Sequence, residues 1–164
     1  MKKLFLTTAL FNMLIINTVL AQNSTIKLAQ LLTSYYEVKN ALVNSDANLT
    51  GVKATELLNA IKKVDTKTLV SDEQKFFNAL KDKLILDAEH ISESKDIDHQ
   101  RDHFATLSTT VYTLAKSAKL SQLPIYQEYC PMKKMYWLSD EGSIKNPYYG
   151  KKMLTCGKVT DTIK

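Results

Sequence analysis

The sequence predicts a mainly α protein: an antiparallel four-helix up-down bundle carrying a C-terminal segment of irregular structure and short strands. Three observations predict it. Apolar residues recur at helical spacing in four separate stretches between Ile26 and Leu114. Residues 52–123 contain neither glycine nor proline, so nothing there breaks a helix from within. From Pro124 onward the pattern changes, and both cysteines of the chain, its one tryptophan and two of its three prolines fall between Cys130 and Cys156.

Ahead of the helices, Lys2 and Lys3 form a positive n-region, Leu4 to Leu20 is mostly apolar, and Val19-Leu20-Ala21 sets modest side chains at the usual cleavage positions. Thr7, Thr8, Asn12 and Asn17 interrupt the run, whereas a membrane anchor prefers ~20 cleaner residues. The expectation is a signal peptide over residues 1–21, a periplasmic or secreted product, and no membrane association after cleavage. Residues 22–164 then make a single domain, since about 140 residues suffice for one core and are too few for two. Its helices occupy residues 22–123 and its Cys/Met segment residues 124–164. The formal net charge of +5 falls to about +3 without the leader, and the basic residues are scattered among acids, which leaves no electrostatic footprint for nucleic acid.

The first helix is capped by Ser24 or Thr25 and carries Ile26, Leu28, Leu31, Leu32, Tyr35, Val38 and Leu42 on one stripe. Asn44 to Asn48 breaks it with residues that favour local turns. Thr50 caps the second helix, with Val52, Leu57, Leu58, Ile61 and Val64 inward. After a polar link over 65–70, Ser71 opens a capping box with Gln74, and the third helix runs through Phe76, Phe77, Leu80, Leu84, Ala88 and Ile91. Asp96 or Asp98 sets negative charge at the start of the fourth, which carries Ile97, Phe104, Leu107, Val111 and Leu114. Ile125 to Tyr129 alternates and is aromatic, as a short strand would be, and the tail beyond Lys158 can form another. Asn146-Pro147 and Gly150 mark turns, and Gly157 can supply a positive φ just after Cys156.

Two cysteines in an exported domain make one possible bridge, worth about 3 kcal/mol in the chain-entropy model. The methionines point elsewhere. Cys130-Pro-Met132 and Met153-Leu-Thr-Cys156 each place a thiol and a thioether a short step apart, and these soft donors suit Cu(I), with Ag(I) and Zn as the other ions to consider. Met132 and Met153 can equally fill gaps in a small aromatic core around Trp137, Tyr148 and Tyr149. His99 and His103 stand one helical turn apart, a spacing that can chelate one ion, and His90 takes a similar edge position on the preceding helix. An ordinary half-exposed histidine also fits such edges. A zinc site of Cys130, Cys156, His99 and His103 requires all four to converge. Arg101 is expected to pair with Asp98 or Glu128. No glycine-rich turn, G-x-S-x-G or phosphate loop supports catalysis, so the expectation is a non-enzyme. Tyr35, Tyr36, Tyr148 and Tyr149 offer a surface for a protein contact.

Four stretches carry a family resemblance: residues 96–108 (DIDHQRDHFATLS), Tyr129-Cys-Pro-Met132, Trp137-Leu-Ser139, and residues 144–157 (IKNPYYGKKMLTCG). They resemble a family of exported helical domains of unassigned function common in Bacteroidota, found alone or fused to periplasmic adaptor subunits of copper and silver efflux pumps. The resemblance implies a heavy-metal link, with Cys130, Met132, Met153, Cys156, His99 and His103 at matching positions, and an efflux-pump adaptor or other envelope protein as partner. It implies no established activity. One departure is the short link Lys133-Lys-Met-Tyr136, where the family has a longer polar insert; it adds Met135 as another soft donor.

The function expected from the sequence is therefore Cu(I) sequestration or delivery to an efflux system. The alternative is a metal-free envelope interaction domain stapled by a Cys130–Cys156 disulfide.

Overall fold

The computed structural model describes residues 28–164, so the signal peptide over 1–21 and the cap at Ser24 or Thr25 lie outside the described residues. Within them the chain is mainly helical, with four α-helices followed by a small three-stranded antiparallel sheet. Helix α1 covers 28–43 and buries Leu28, Leu31, Leu32, Tyr35, Val38 and Leu42, the stripe that the spacing predicts.

Helix α2 (Ala47–Lys62) begins earlier than a Thr50 cap would have it. The cap is Asp46, whose Oδ1 accepts from the Leu49 N–H at 2.9 Å. Thr50 instead sits in the first turn and donates to the Asp46 carbonyl at 2.7 Å. A carboxylate is both a strong capping acceptor and a favourable charge at a helix start, and it wins over the hydroxyl downstream. Val52 points outward rather than into the stripe, while Gly51 is buried beside it; a Cβ on Gly51 would lie 3.1 Å from the Ser92 carbonyl, so α2 passes close to the end of the next helix.

A short 3₁₀ turn, Thr66–Thr68, capped by Asp65, leads to α3 (Ser71–Glu93). The capping box at Ser71 does not form: Val70 occupies the cap position, Ser71 is already helical, and the Gln74 N–H bonds the Val70 carbonyl at 2.9 Å. Asp72 and Glu73 supply the negative charge of the first turn instead. Asp96 caps α4 (Ile97–Ser117) by accepting from the Asp98 N–H at 2.9 Å. Helix α3 packs against both α2 and α4.

The sheet runs in the order β2-β1-β3, with β1 at Ile125–Cys130, β2 at Met135–Ser139 and β3 at Lys158–Ile163. Strand β1 coincides with the alternating aromatic stretch, and β3 with the tail beyond Lys158 that can form another strand. Strand β2 lies where the sequence suggested irregular structure, because its turn lacks an Asn-Gly or Asp-Gly signal and depends on Lys134 at φ 56°. Trp137, Leu138 and Tyr148 bury this end against the helical core.

Polar side chains tie the two parts together. The Tyr35 hydroxyl lies 2.7 Å from Ser108 Oγ and accepts from the Leu138 N–H at 2.9 Å, linking α1, α4 and β2. Tyr112 in α4 donates to Asp161 in β3 at 2.7 Å, and the same carboxylate receives Lys116 at 3.1 Å. Lys39 is buried and donates to Ser139 Oγ at 3.1 Å. Two of the tyrosines assigned to a contact surface, Tyr35 and Tyr148, are core residues, because their rings are large enough to bridge helix and sheet and their hydroxyls find partners there. No helix among the described residues is long and apolar enough to cross a membrane.

Candidate metal centre

Alternation along β1 sets Glu128 and Cys130 on one face, and the hairpin register sets Trp137 opposite Glu128 and Met135 opposite Cys130. Directly opposed residues on antiparallel strands share a face, so the Met135 thioether is the cross-strand neighbour of the Cys130 thiol. Cys130 is fully buried and Met135 partly so.

Cys156 reaches the same place from the far side of the segment. Asn146, fully buried, is the staple: its side-chain amide donates to the Cys156 carbonyl at 2.7 Å, its Oδ1 accepts from the Tyr148 N–H at 2.8 Å, and its own N–H bonds the Leu154 carbonyl at 2.8 Å. A single 3₁₀ turn, Gly150–Lys152, fills the bend, and the Cys156 N–H closes back onto the Met153 carbonyl at 3.1 Å. Gly157 then lets the chain lie against the hairpin, since a Cβ there would come 2.9 Å from the Trp137 ring and 3.0 Å from the Tyr129 carbonyl. Close approach, not a positive φ, is what glycine supplies at this position; the positive φ belongs to Gly150, at 55°.

The two thiols thus end side by side, both free. Burial, and next the neighbouring Cys130, push the Cys156 thiol above its ordinary value, which favours its protonated form. Met132 stands in the β1–β2 turn, 62% exposed, and Met153 is partly buried where the 3₁₀ turn ends. Of the thioethers, Met135 has the register position nearest Cys130, which the sequence spacing alone did not rank first.

On the same strand face, Glu128 is buried with neither carboxylate oxygen completing a hydrogen bond, although the Trp137 N–H lies beside it. Burial pushes its pKa up to about 7, against the opposing pull of the Lys39 ammonium. Arg101, at the other end of the segment, donates from Nε to the Pro147 carbonyl at 3.0 Å and from Nη1 to Asp98 at 3.1 Å; Asp98 is the partner, not Glu128.

The histidines separate from the sulfurs. His99 and His103 join His90 of α3, and a ligand nitrogen from each lies within 4.8 Å of the others; neither cysteine belongs to this group. His90 and Asp87, which faces His103, were the residues that sequence reasoning left out of the site. The short α3–α4 link and the edge position of His90 were the signals available, but only helix packing shows that the edges meet.

No curated protein and no solved structure matches the chain. A family model does match, over residues 31–122, which spans nearly all of α1 to α4, includes the three histidines and stops short of the sheet. On that match the chain belongs to the family described as Protein of unknown function (DUF3347).

Proposed function

We propose that this protein is an exported, non-catalytic carrier of a soft metal ion, Cu(I) or chemically similar Ag(I), held by Cys130 and Cys156. The observation that carries the reading is the meeting of these two thiols from opposite ends of the β2 and 3₁₀ segment, with Met135 in register beside one of them. Two thiolates and a thioether in a mostly buried setting suit a monovalent soft ion, and the ion would supply the charge that lets the thiols lose their protons. Met153 lies within the same turn as Cys156, and exposed Met132 is placed to receive or hand on an ion.

The reading includes cleavage after Ala21, a periplasmic or secreted location, and an antiparallel up-down arrangement of the four helices as the body. The resemblance to domains fused to heavy-metal efflux adaptors names the partner class: such an adaptor, or another envelope protein that takes the ion. Titration with Cu(I) under reducing conditions, in competition with a colorimetric chelator, tests it. One equivalent should bind, and Cys130→Ser or Cys156→Ser should each weaken binding at least a hundredfold; unchanged binding in either variant contradicts the reading.

The same adjacency favours a second reading, in which the two thiols are joined as a disulfide that staples the segment without metal. A mass lower by two hydrogens on isolation, no reactive thiol, and no copper uptake after reduction would favour it. Its protein-contact surface would rest on Tyr136, 42% exposed, and Tyr149, because Trp137 is buried.

A further inference from the structure

We infer that His90, His99 and His103 form a second and separate metal site, for a divalent ion of borderline hardness such as Zn²⁺ or Cu²⁺, with Asp87 as its positioning residue. Three imidazoles from two helices converge here. His99 and His103 are one turn apart on α4, and packing of α3 against α4 brings His90 over them, with ring centroids 4.3 Å from His103 and 5.9 Å from His99. The His99 and His103 rings lie 4.7 Å apart.

The second observation is what lies behind His103. Its Nδ1 is 3.0 Å from Asp87 Oδ1, and that oxygen also accepts from Thr106 Oγ1 at 2.7 Å. Asp87 is 6% exposed, so the carboxylate has few alternatives to these bonds. An ionised carboxylate can only accept, so neutral His103 must carry its proton on Nδ1 and present a lone pair at Nε2. That arrangement, a carboxylate fixing the ring and raising the basicity of the other nitrogen, is how ligating histidines are commonly oriented. The three nitrogens are neutral donors of intermediate softness, which suit a divalent borderline ion better than the sulfur pair does.

The site is open to solvent. His90 and His99 are exposed, while His103 and Asp87 also line a surface groove of about 600 Å³ between the two helices. Three protein ligands leave a fourth position for water or an exchangeable ligand. His90 now lies nearly parallel to His103, at 10°, and must rotate to share an ion with it. Its exposed ring can do so, whereas His103 is held.

The test uses protein in which Cys130 and Cys156 are both serine, so that sulfur cannot contribute. Zn²⁺ titration should give one equivalent per chain, and Co²⁺ should give visible bands of nitrogen ligation without sulfur charge transfer. Imidazole ¹⁵N spectra should show His103 protonated at Nδ1 and metallated at Nε2. His90→Ala and His99→Ala should each weaken binding at least tenfold, and Asp87→Asn about ten- to a hundredfold, with loss of that tautomer. Because buried Asp87 also supports the fold, the exposed His90 and His99 carry the test if that variant does not fold. Loss of Zn²⁺ uptake on removing the cysteines alone, or unchanged uptake in a His90→Ala/His99→Ala double variant, overturns the inference. Neither result bears on Cu(I) binding by the thiols.

Discussion

Arg101 in α4 donates from Nε to the carbonyl of Pro147 at 3.0 Å, so a buried guanidinium grips the turn that shapes the route to Cys156. Its Nη2 also reaches Ser45 Oγ, at 3.0 Å, in the α1–α2 turn. Arg101→Ala removes these bonds together and is predicted to cost about 2–4 kcal/mol in urea unfolding. Arg101→Lys should recover less than half, because an ammonium lacks the planar fork that serves three acceptors at once. A loss below about 0.5 kcal/mol for the alanine variant would contradict this role.

Gly150 rests in the same corner. Its φ of 55° disfavours any side chain, and a Cβ would overlap Ser45 Oγ and come within 2.8 Å of the Val43 carbonyl. Gly150→Ala should destabilise by more than about 1 kcal/mol, and should raise the reactivity of the Cys156 thiol toward an alkylating reagent as the turn loosens. A variant as stable as the parent with equal thiol reactivity would be inconsistent with this packing.

Tyr35→Phe isolates a single hydroxyl. The ring would keep its stack on Phe104, 5.1 Å between centroids, but the buried Leu138 N–H would lose its acceptor. A cost of about 1–3 kcal/mol is expected, with slowed amide exchange at Leu138 in the parent becoming fast in the variant. Retention of that protection would mean the N–H has another partner.

Glu128 makes the stability pH-dependent. Its pKa in the folded chain, about 7, lies above the ordinary 4.5, so the folded state keeps a proton that the unfolded state gives up. Below pH 4.5 the group contributes nothing; stability falls as pH rises through this interval and the full penalty is present above 7. Glu128→Gln should remove that slope, gaining about 3 kcal/mol on the parent between pH 4.5 and 8. Parallel stability curves for the two proteins would contradict the burial of this carboxylate.

The helices were legible because each buried stripe is local. Leu28 to Leu42 and Phe104 to Leu114 need only their own spacing to be recognised. Helix starts were less so: Asp46 outcompetes Thr50, and Ser71 falls one position inside its helix, choices that depend on one or two hydrogen bonds. Strand β2 was hidden, since residues 135–139 acquire strand character only by pairing with β1. At the site, the cysteines were evident, but the rank of Met135 over Met132 is set by hairpin register. Three-dimensional packing alone brings His90 and Asp87 to His103, across an interface between two helices that the sequence lists in series.

The proposed carrier holds its soft ion on the two thiols of Cys130 and Cys156. Copper K-edge absorption of the reduced protein loaded with one equivalent of Cu(I) tests it most directly. Nearest-neighbour scattering from sulfur is expected, lost when Cys130 and Cys156 are replaced by serine. Scattering from nitrogen alone, unchanged in that variant, would place the ion on the histidines and contradict it.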